Sequence, residues 1–160
     1  MKRFKDLYNA GSVKRYHTTR TVQEQNLAAH SWGVALILCQ ISEGPVSPHL
    51  MLAALTHDLA ESLTGDVPYP AKRLSRALDS SLKDVELAWE ADHGIVSDLT
   101  EEEYALLKWA DMFELACFAK SELAMGNSYA HPIMVNARLA LRVMDFPTDK
   151  AADLYAEMLT

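Results

Sequence analysis

Residues 48–63, PHLMLAALTHDLAESL, carry the strongest structural signal in this chain. Ser47 is suited to cap a helix, and Pro48 is suited to its first turn. The apolar run that follows predicts a helix that is surrounded by other helices. Residues 64–70, TGDVPYP, cannot continue that helix because they combine glycine with two prolines.

The second half of this segment, residues 56–63, contains three ionisable side chains, His57, Asp58 and Glu61. Glu61 follows His57 by four residues and Asp58 by three, so a continuous helix would place it on their face. Burying these groups together is costly unless they are paired, hydrogen-bonded or bound to a metal. The segment contains no basic residue to neutralise them, and a histidine beside an aspartate offers nitrogen and oxygen to a divalent metal.

The rest of the chain predicts further helices and no convincing alternating strand, so we predict an all-α fold. Thr100 and Glu103 form a capping box that opens a long helix. Residues 10–23 are predicted to be a polar loop. The other predicted helices cover residues 1–9, 24–42, 71–77, 79–93, 100–125, 131–143 and 150–158.

The composition indicates one globular domain over residues 1–160, with 49% hydrophobic and 23% charged residues. The formal net charge of −7 argues against a general nucleic-acid binder, which needs a basic face.

The basic start of the chain, residues 1–8, lacks the apolar core of a secretory signal. Apolar runs are far shorter than the ~20 residues of a membrane span. We therefore expect a cytoplasmic protein, in a host cytoplasm if phage-encoded, with no membrane or nucleic-acid partner.

Cysteines and tryptophans fall in apolar helical stretches. Cys39 and Cys117 are expected to be buried free thiols, because no oxidising compartment is indicated. Trp32, Trp89 and Trp109 occur at helical spacing and are predicted to lie in the core.

Two residues outside the central helix complete a pattern. His30 stands at a helix start, and Asp111 stands in the apolar stretch 106–118. Each alone would be an ordinary polar side chain at a helix end or in solvent. Together with His57-Asp58 they give the order His…His-Asp…Asp over three helices, which resembles the HD-domain phosphohydrolases. This resemblance implies a compact helical bundle of about six to seven helices.

Three segments make the resemblance more specific. Residues 13–17, VKRYH, 28–31, AAHS, and 57–68, HDLAESLTGDVP, are similar to the bacterial 5′-deoxynucleotidase family and its compact phage relatives. Those relatives include dATP triphosphohydrolases. The similarity runs from about Gly11 to Gly126, and residues 57–68 are its most specific part.

The resemblance implies a role for each matching residue. Glu61 would orient or deprotonate the attacking water, and Asp66 would act near the sugar or phosphate. Arg15 would contact the phosphate. Tyr16 stands where the family usually has tryptophan, and its ring would pack on the deoxyribose. The implied metal ligands are His30, His57, Asp58 and Asp111.

The implied cofactor is one divalent transition metal, and two histidines with two carboxylates suit Zn, Co, Mn, Ni or Fe alike. A triphosphate substrate would bring an additional Mg²⁺. Ala29 departs from the family, which usually has glutamate before the histidine.

The loops 10–23 and 64–73 are basic within an acidic protein, which suits a small anionic substrate. Lys14, Arg20, Lys72 and Arg73 are further candidate cations for it.

We expect a metal-dependent phosphohydrolase of 2′-deoxynucleotides. The short chain and the basic loops favour a dATP triphosphohydrolase that releases deoxynucleoside and triphosphate. The alternatives are a 5′-deoxynucleotidase that acts on monophosphates, a nucleotide-binding HD module without turnover, and a helical adaptor. A homo-oligomer, dimer or hexamer, is expected from the family habit and the apolar helical surfaces.

Overall fold

The computed structural model describes residues 2–95 and 98–159, and within them the chain is helical without a β-strand. This confirms the all-α prediction. No helix in these ranges is long and apolar enough to span a membrane. The helices are α1 (Lys2–Ala10), α2 (Leu27–Ile41), α3 (Pro48–Thr56), α4 (Glu61–Thr64), α5 (Tyr69–Leu74), α6 (Arg76–His93), α7 (Glu101–Ala124), α8 (His131–Val143) and α9 (Asp149–Leu159).

Helix α7 is the longest helix and the centre of the packing. It contacts α2, α3 and α8, and α2 also packs against α3 and α9. Trp109 of α7 is fully buried and stacks on Phe113, with ring centroids 4.8 Å apart. Trp109 and Trp89 therefore occupy core positions, as the sequence predicts.

Hydrogen bonds at the helix starts agree with the capping signals. Thr100 and Glu103 form the predicted capping box before α7. Ser47 caps α3 by accepting a hydrogen bond from the Leu50 amide, and its hydroxyl donates to the Glu103 carboxylate. Glu103 therefore ties the starts of α3 and α7 together.

The expected helix over residues 48–63 is interrupted. Helix α3 ends at Thr56, and a tighter turn leads into α4. The amides of Leu59, Glu61, Ser62 and Leu63 each donate to the carbonyl three residues earlier, at 2.9–3.0 Å. Such bonds wind the chain more tightly than an α-helix does. The prediction of one continuous helix was wrong, because tertiary contacts of His57 and Asp58 fix this turn.

One face of α2 contradicts two predictions about burial. Trp32 is 64% exposed and Cys39 is exposed, while Cys117 in α7 is half-buried. Trp32 and Cys39 lie seven residues apart on one side of α2, and Val34 and Leu38 are buried on the other. The sequence of α2 is apolar on both sides, so its periodicity did not reveal which side faces the core.

The polar loop before α2 is held against the end of α7. Glu122 is fully buried, and its carboxylate accepts hydrogen bonds from the amides of Val22 at 2.7 Å and Gln23 at 2.8 Å. The side-chain amide of Asn127 donates to the same carboxylate at 2.6 Å. These bonds lower the pKa of Glu122, although burial opposes them. The loop is thereby fixed at the side of α7.

Replacing Thr100 with alanine should destabilise the protein by about 1 kcal/mol, because the Glu103 amide loses its capping acceptor. Thr100→Ser keeps the hydroxyl and should keep most of the stability. Urea unfolding of the three proteins measures the difference. Equal free energies of unfolding for wild type and Thr100→Ala would contradict the role of this cap.

Candidate active site

Four ionisable side chains from three parts of the fold meet in one cluster. His30 comes from α2, His57 and Asp58 from the turn after α3, and Asp111 from α7. The Nε2 atom of His30 lies 3.3 Å from His57 Nε2, 3.5 Å from Asp58 Oδ2 and 3.2 Å from Asp111 Oδ1. The structure thus brings together all four residues predicted as metal ligands.

Each of the two histidine rings has its Nδ1 atom next to a hydrogen-bond acceptor. The Nδ1 atom of His30 lies 2.6 Å from Glu114 Oε2, and that of His57 lies 3.1 Å from the Ala54 carbonyl oxygen. Both partners are acceptors, so each neutral ring carries its proton on Nδ1. The Nε2 lone pairs are then free inside the cluster. Ligand atoms of His30, His57 and Asp58 all lie within 4.8 Å of one another. Two imidazole nitrogens with carboxylate oxygens fit a divalent transition metal.

The cluster favours negative carboxylates and positive partners. Burial raises the pKa of Asp58, but the charges of His57, Arg15 and His30 together outweigh it, and the pKa falls below its ordinary value. The pKa of Asp111 is held well below its usual range, because hydrogen bonds to both histidines outweigh burial. Burial lowers the pKa of His30, but hydrogen bonds to Asp111 and Glu114 raise it to about 9. The carboxylates of the cluster thus stabilise positive charge beside them, as protons on the histidines or as a bound cation.

Arg15 lies at the edge of the cluster. Its Nη1 atom donates to Asp58 Oδ2 at 2.8 Å, and its side chain is only 12% exposed. The residue predicted to contact phosphate is thus in direct contact with a predicted metal ligand. A phosphoryl group placed against the cluster would be within reach of this guanidinium.

Tyr16 has an unusual backbone conformation beside Arg15. Its φ angle is 57°, a left-handed conformation that non-glycine residues rarely adopt. The carboxylate of Asp66 accepts a hydrogen bond from the Tyr16 amide at 3.0 Å. The ring stacks on Phe118 of α7, with centroids 4.5 Å apart and an interplanar angle of 1°. Asp66 therefore holds the backbone from which the Tyr16 ring projects.

Glu61 is buried at the start of α4. Its Oε1 atom lies 3.8 Å from Lys72 Nζ, and its Oε2 atom has no hydrogen-bond partner within the described part of the chain. Burial, with the nearby charges of Asp58 and Asp66, raises the pKa of Glu61 to about 8. This side chain has the environment of a proton acceptor that works near neutral pH.

Two further predicted cations contact other parts of the surface. Lys14 Nζ lies 2.6 Å from Glu24 Oε1, and both side chains are exposed. The guanidinium of Arg20 lies 5.7 Å from the centroid of the Tyr129 ring. A substrate-binding role for Lys14 and Arg20 stays a prediction.

Sequence reasoning missed Glu114 and Gln25. Both are buried, and Gln25 Nε2 donates to Glu114 Oε1 at 2.7 Å. A signal for Glu114 was present, because a glutamate inside an apolar stretch one turn after Asp111 poses the same burial problem as Glu61. Ala29, which replaces the family's usual glutamate, is exposed.

Known structures share this fold. The HD phosphohydrolase of cyanophage S-2L, solved with dA and one catalytic Zn²⁺ ion, superposes with a TM-score of 0.70. It is 24% identical, and the match covers 97% of this chain and 93% of that one. An HD-domain phosphohydrolase from Listeria innocua gives a TM-score of 0.75 at 20% identity, covering 98% of this chain and 85% of that one.

Sequence relatives identify the family. A 5′-deoxynucleotidase of Photobacterium profundum is 28% identical, in an alignment that covers 78% of this chain and 76% of the relative. The family model described as 5′-deoxynucleotidase YfbR-like matches residues 3–151. The resemblance inferred from the motifs is thereby confirmed. This chain belongs to the YfbR-like 5′-deoxynucleotidase family of HD-type, metal-dependent phosphohydrolases.

Proposed function

We propose that this protein is a metal-dependent 5′-deoxynucleotidase, which hydrolyses 2′-deoxynucleoside monophosphates to the deoxynucleoside and phosphate. The observation that carries the proposal is the contact of Arg15 with Asp58 at 2.8 Å, which sets a phosphate-binding cation beside the candidate metal cluster. The relatives named 5′-deoxynucleotidases support the same activity. They favour this alternative over the dATP triphosphohydrolase that the loop charges first indicated.

The charges around the site also support a monophosphate. A triphosphate would need several cations, and the sequence offers Lys14, Arg20, Lys72 and Arg73 besides Arg15. Lys14 pairs with Glu24, and Lys72 lies 3.8 Å from the Glu61 carboxylate. Arg15 is the member of this set that contacts the cluster in the part of the chain described. One arginine suits one phosphoryl group.

The metal would be held by His30, His57, Asp58 and Asp111. A divalent cation supplies charge for the phosphoryl oxygens and makes a water molecule more acidic. The cyanophage phosphohydrolase has a catalytic Zn²⁺ ion, and we propose Zn²⁺ or a similar transition metal here.

The protein side chains divide the remaining work. The free Oε2 atom of Glu61 accepts a proton from the water as its oxygen attacks phosphorus. The bond from phosphorus to the 5′ oxygen breaks, that oxygen takes a proton from solvent to become the deoxynucleoside hydroxyl, and Glu61 returns its proton to solvent. Arg15 stabilises the negative charge on the phosphoryl oxygens throughout.

Tyr16 is positioned to select the sugar. The residue follows Arg15 directly in the chain. Its ring stacks on the Phe118 ring, and its backbone amide donates a hydrogen bond to the Asp66 carboxylate. A ring that packs against C2′ leaves no space or partner for a 2′-hydroxyl. Burying that hydroxyl without a partner costs about 1–3 kcal/mol.

Product analysis tests the proposal directly. With dAMP, AMP and dATP as substrates, we expect phosphate and deoxyadenosine from dAMP, and little turnover of AMP. The kcat/KM for dAMP should exceed that for AMP by roughly 10- to 100-fold, since ~1.4 kcal/mol is one factor of ten. Release of intact triphosphate from dATP, without hydrolysis of dAMP, would support the triphosphohydrolase instead.

Variants of Tyr16 and Arg15 test which side chain distinguishes dAMP from AMP in that experiment. Tyr16→Ala should narrow the ratio of dAMP to AMP turnover, while Tyr16→Phe keeps the ring and should preserve it. Arg15→Ala should weaken both substrates alike, because they share the phosphate. A ratio unchanged in Tyr16→Ala would assign sugar selection to another group.

Removing a metal ligand should remove both metal and activity. His57→Ala and Asp58→Ala should lose bound metal and phosphate release while retaining the helical circular dichroism spectrum. Asp84→Ala removes an exposed carboxylate of α6 and should change neither. Elemental analysis and a phosphate assay measure the two properties. Full metal content with normal turnover in His57→Ala would refute the site.

Replacing Glu61 with glutamine should separate binding from catalysis. Glu61→Gln should keep the metal but lower kcat by about 10²- to 10⁴-fold, the usual contribution of an acid–base residue. Glu43→Gln changes an exposed glutamate and should leave kcat unchanged. A normal kcat in Glu61→Gln would remove Glu61 from the proton transfer.

A further inference from the structure

The carboxylate of Glu114 joins two buried side chains of a different part of the chain. Its Oε2 atom lies 2.6 Å from His30 Nδ1, and its Oε1 atom accepts a hydrogen bond from Gln25 Nε2 at 2.7 Å. His30 is fully buried, and the other two are at least nine-tenths buried. Each carboxylate oxygen of Glu114 therefore has one defined partner.

Gly33 leaves room for this carboxylate. A Cβ atom built at Gly33 would lie 2.8 Å from Glu114 Cγ and 3.2 Å from Oε1, which is too close for the side chain to stay in place. Glycine inside a helix such as α2 is unfavourable by about 0.5–1 kcal/mol relative to alanine. The absence of a side chain at this position thus gives Glu114 space to reach His30.

We propose that Glu114 is a positioning residue for the candidate metal centre, acting through His30. Its carboxylate holds the proton of His30 on Nδ1 and turns Nε2 toward His57 and Asp58. Gln25 fixes the other oxygen of the carboxylate. The inference rests on the proposed metal-dependent function, because it assigns Glu114 the orientation of a metal ligand.

Glu122 provides an internal comparison. It is another buried glutamate on α7, but its carboxylate accepts from the backbone amides of Val22 and Gln23 and from Asn127. Removing the charge of the Glu122 carboxylate should destabilise the loop before α2 without changing the orientation of His30. A purely structural role of Glu114 would make the two glutamates behave alike, whereas a positioning role separates them.

Metal affinity distinguishes these roles. Competition with a chromophoric chelator measures the affinity for Zn²⁺ in wild type, Glu114→Gln, Glu114→Met and Glu122→Gln. We expect Glu114→Met to bind Zn²⁺ about 10- to 100-fold more weakly, the usual effect of removing such a partner. Glu114→Gln retains an acceptor oxygen and should lie between Glu114→Met and wild type. Glu122→Gln should lose thermal stability but keep its affinity for Zn²⁺.

Two-dimensional ¹H–¹⁵N NMR of the histidine rings reports the proton directly. In the Zn²⁺-loaded wild type we expect His30 to carry its proton on Nδ1 in a strong hydrogen bond. Glu114→Met should remove that hydrogen-bond signature. Glu122→Gln should leave the His30 signals in place. A change of stability alone would not move them.

Gly33→Ala tests the same contact while the carboxylate remains. The new methyl group should displace Glu114 and weaken Zn²⁺ binding in the wild-type background. In the Glu114→Met background it should have a much smaller effect, because contacting residues are not additive. Gly44→Ala is the matched control, since a Cβ there meets nothing within 4 Å.

The outcomes separate this inference from the function on which it rests. If the wild type binds Zn²⁺ no better than His57→Ala does, the proposed metal-dependent function fails. If the wild type binds and His57→Ala does not, the site stands. Full Zn²⁺ affinity and an unchanged His30 signal in Glu114→Met would then overturn the role of Glu114 alone.

Discussion

The geometry of the candidate site depends on the meeting of His30, His57, Asp58 and Asp111 in a mostly buried cluster. Buried ionisable groups are tolerated only where each has partners, so three parts of the chain must come together accurately. The turn that interrupts the central helix is one result, since it presents two neighbouring residues to α2 and α7. The contact of Arg15 with Asp58 is another, because it brings a cation from a distant loop to the same place.

Helix α7 organises the site from one face. Four of its residues follow helical spacing, and each contacts a different component of the site. The first lies in the ionisable cluster, the next is hydrogen-bonded to a histidine, the third stacks on an aromatic ring, and the last accepts hydrogen bonds from a loop. These residues are Asp111, Glu114, Phe118 and Glu122. A single helix thereby fixes the relative positions of the ionisable cluster, the Tyr16 ring and the loop before α2.

The proposed preference for a monophosphate rests on how two of the basic side chains, Lys14 and Lys72, are partnered. The number of lysines and arginines in the loops 10–23 and 64–73 favoured a triphosphate as the substrate. In the fold, Lys14 pairs with Glu24, and Lys72 faces Glu61. A lysine beside a carboxylate offers an anion less net positive charge than a lysine without such a neighbour. Arg15 at the cluster then fits a single phosphoryl group, in agreement with the relatives that carry the 5′-deoxynucleotidase name.

The sequence by itself determined the all-α class, the capping box at Thr100 and the His…His-Asp…Asp order, because each depends on neighbouring residues or on a recognisable order. The tertiary structure alone decided which side of α2 is buried and which carboxylate lies against His30 Nδ1. Glu114 lies 84 positions from His30 and 89 from Gln25, so no local spacing links them. A helix that is apolar on both sides has no periodic signal for its partner, and only packing against α7 selects the face that carries His30.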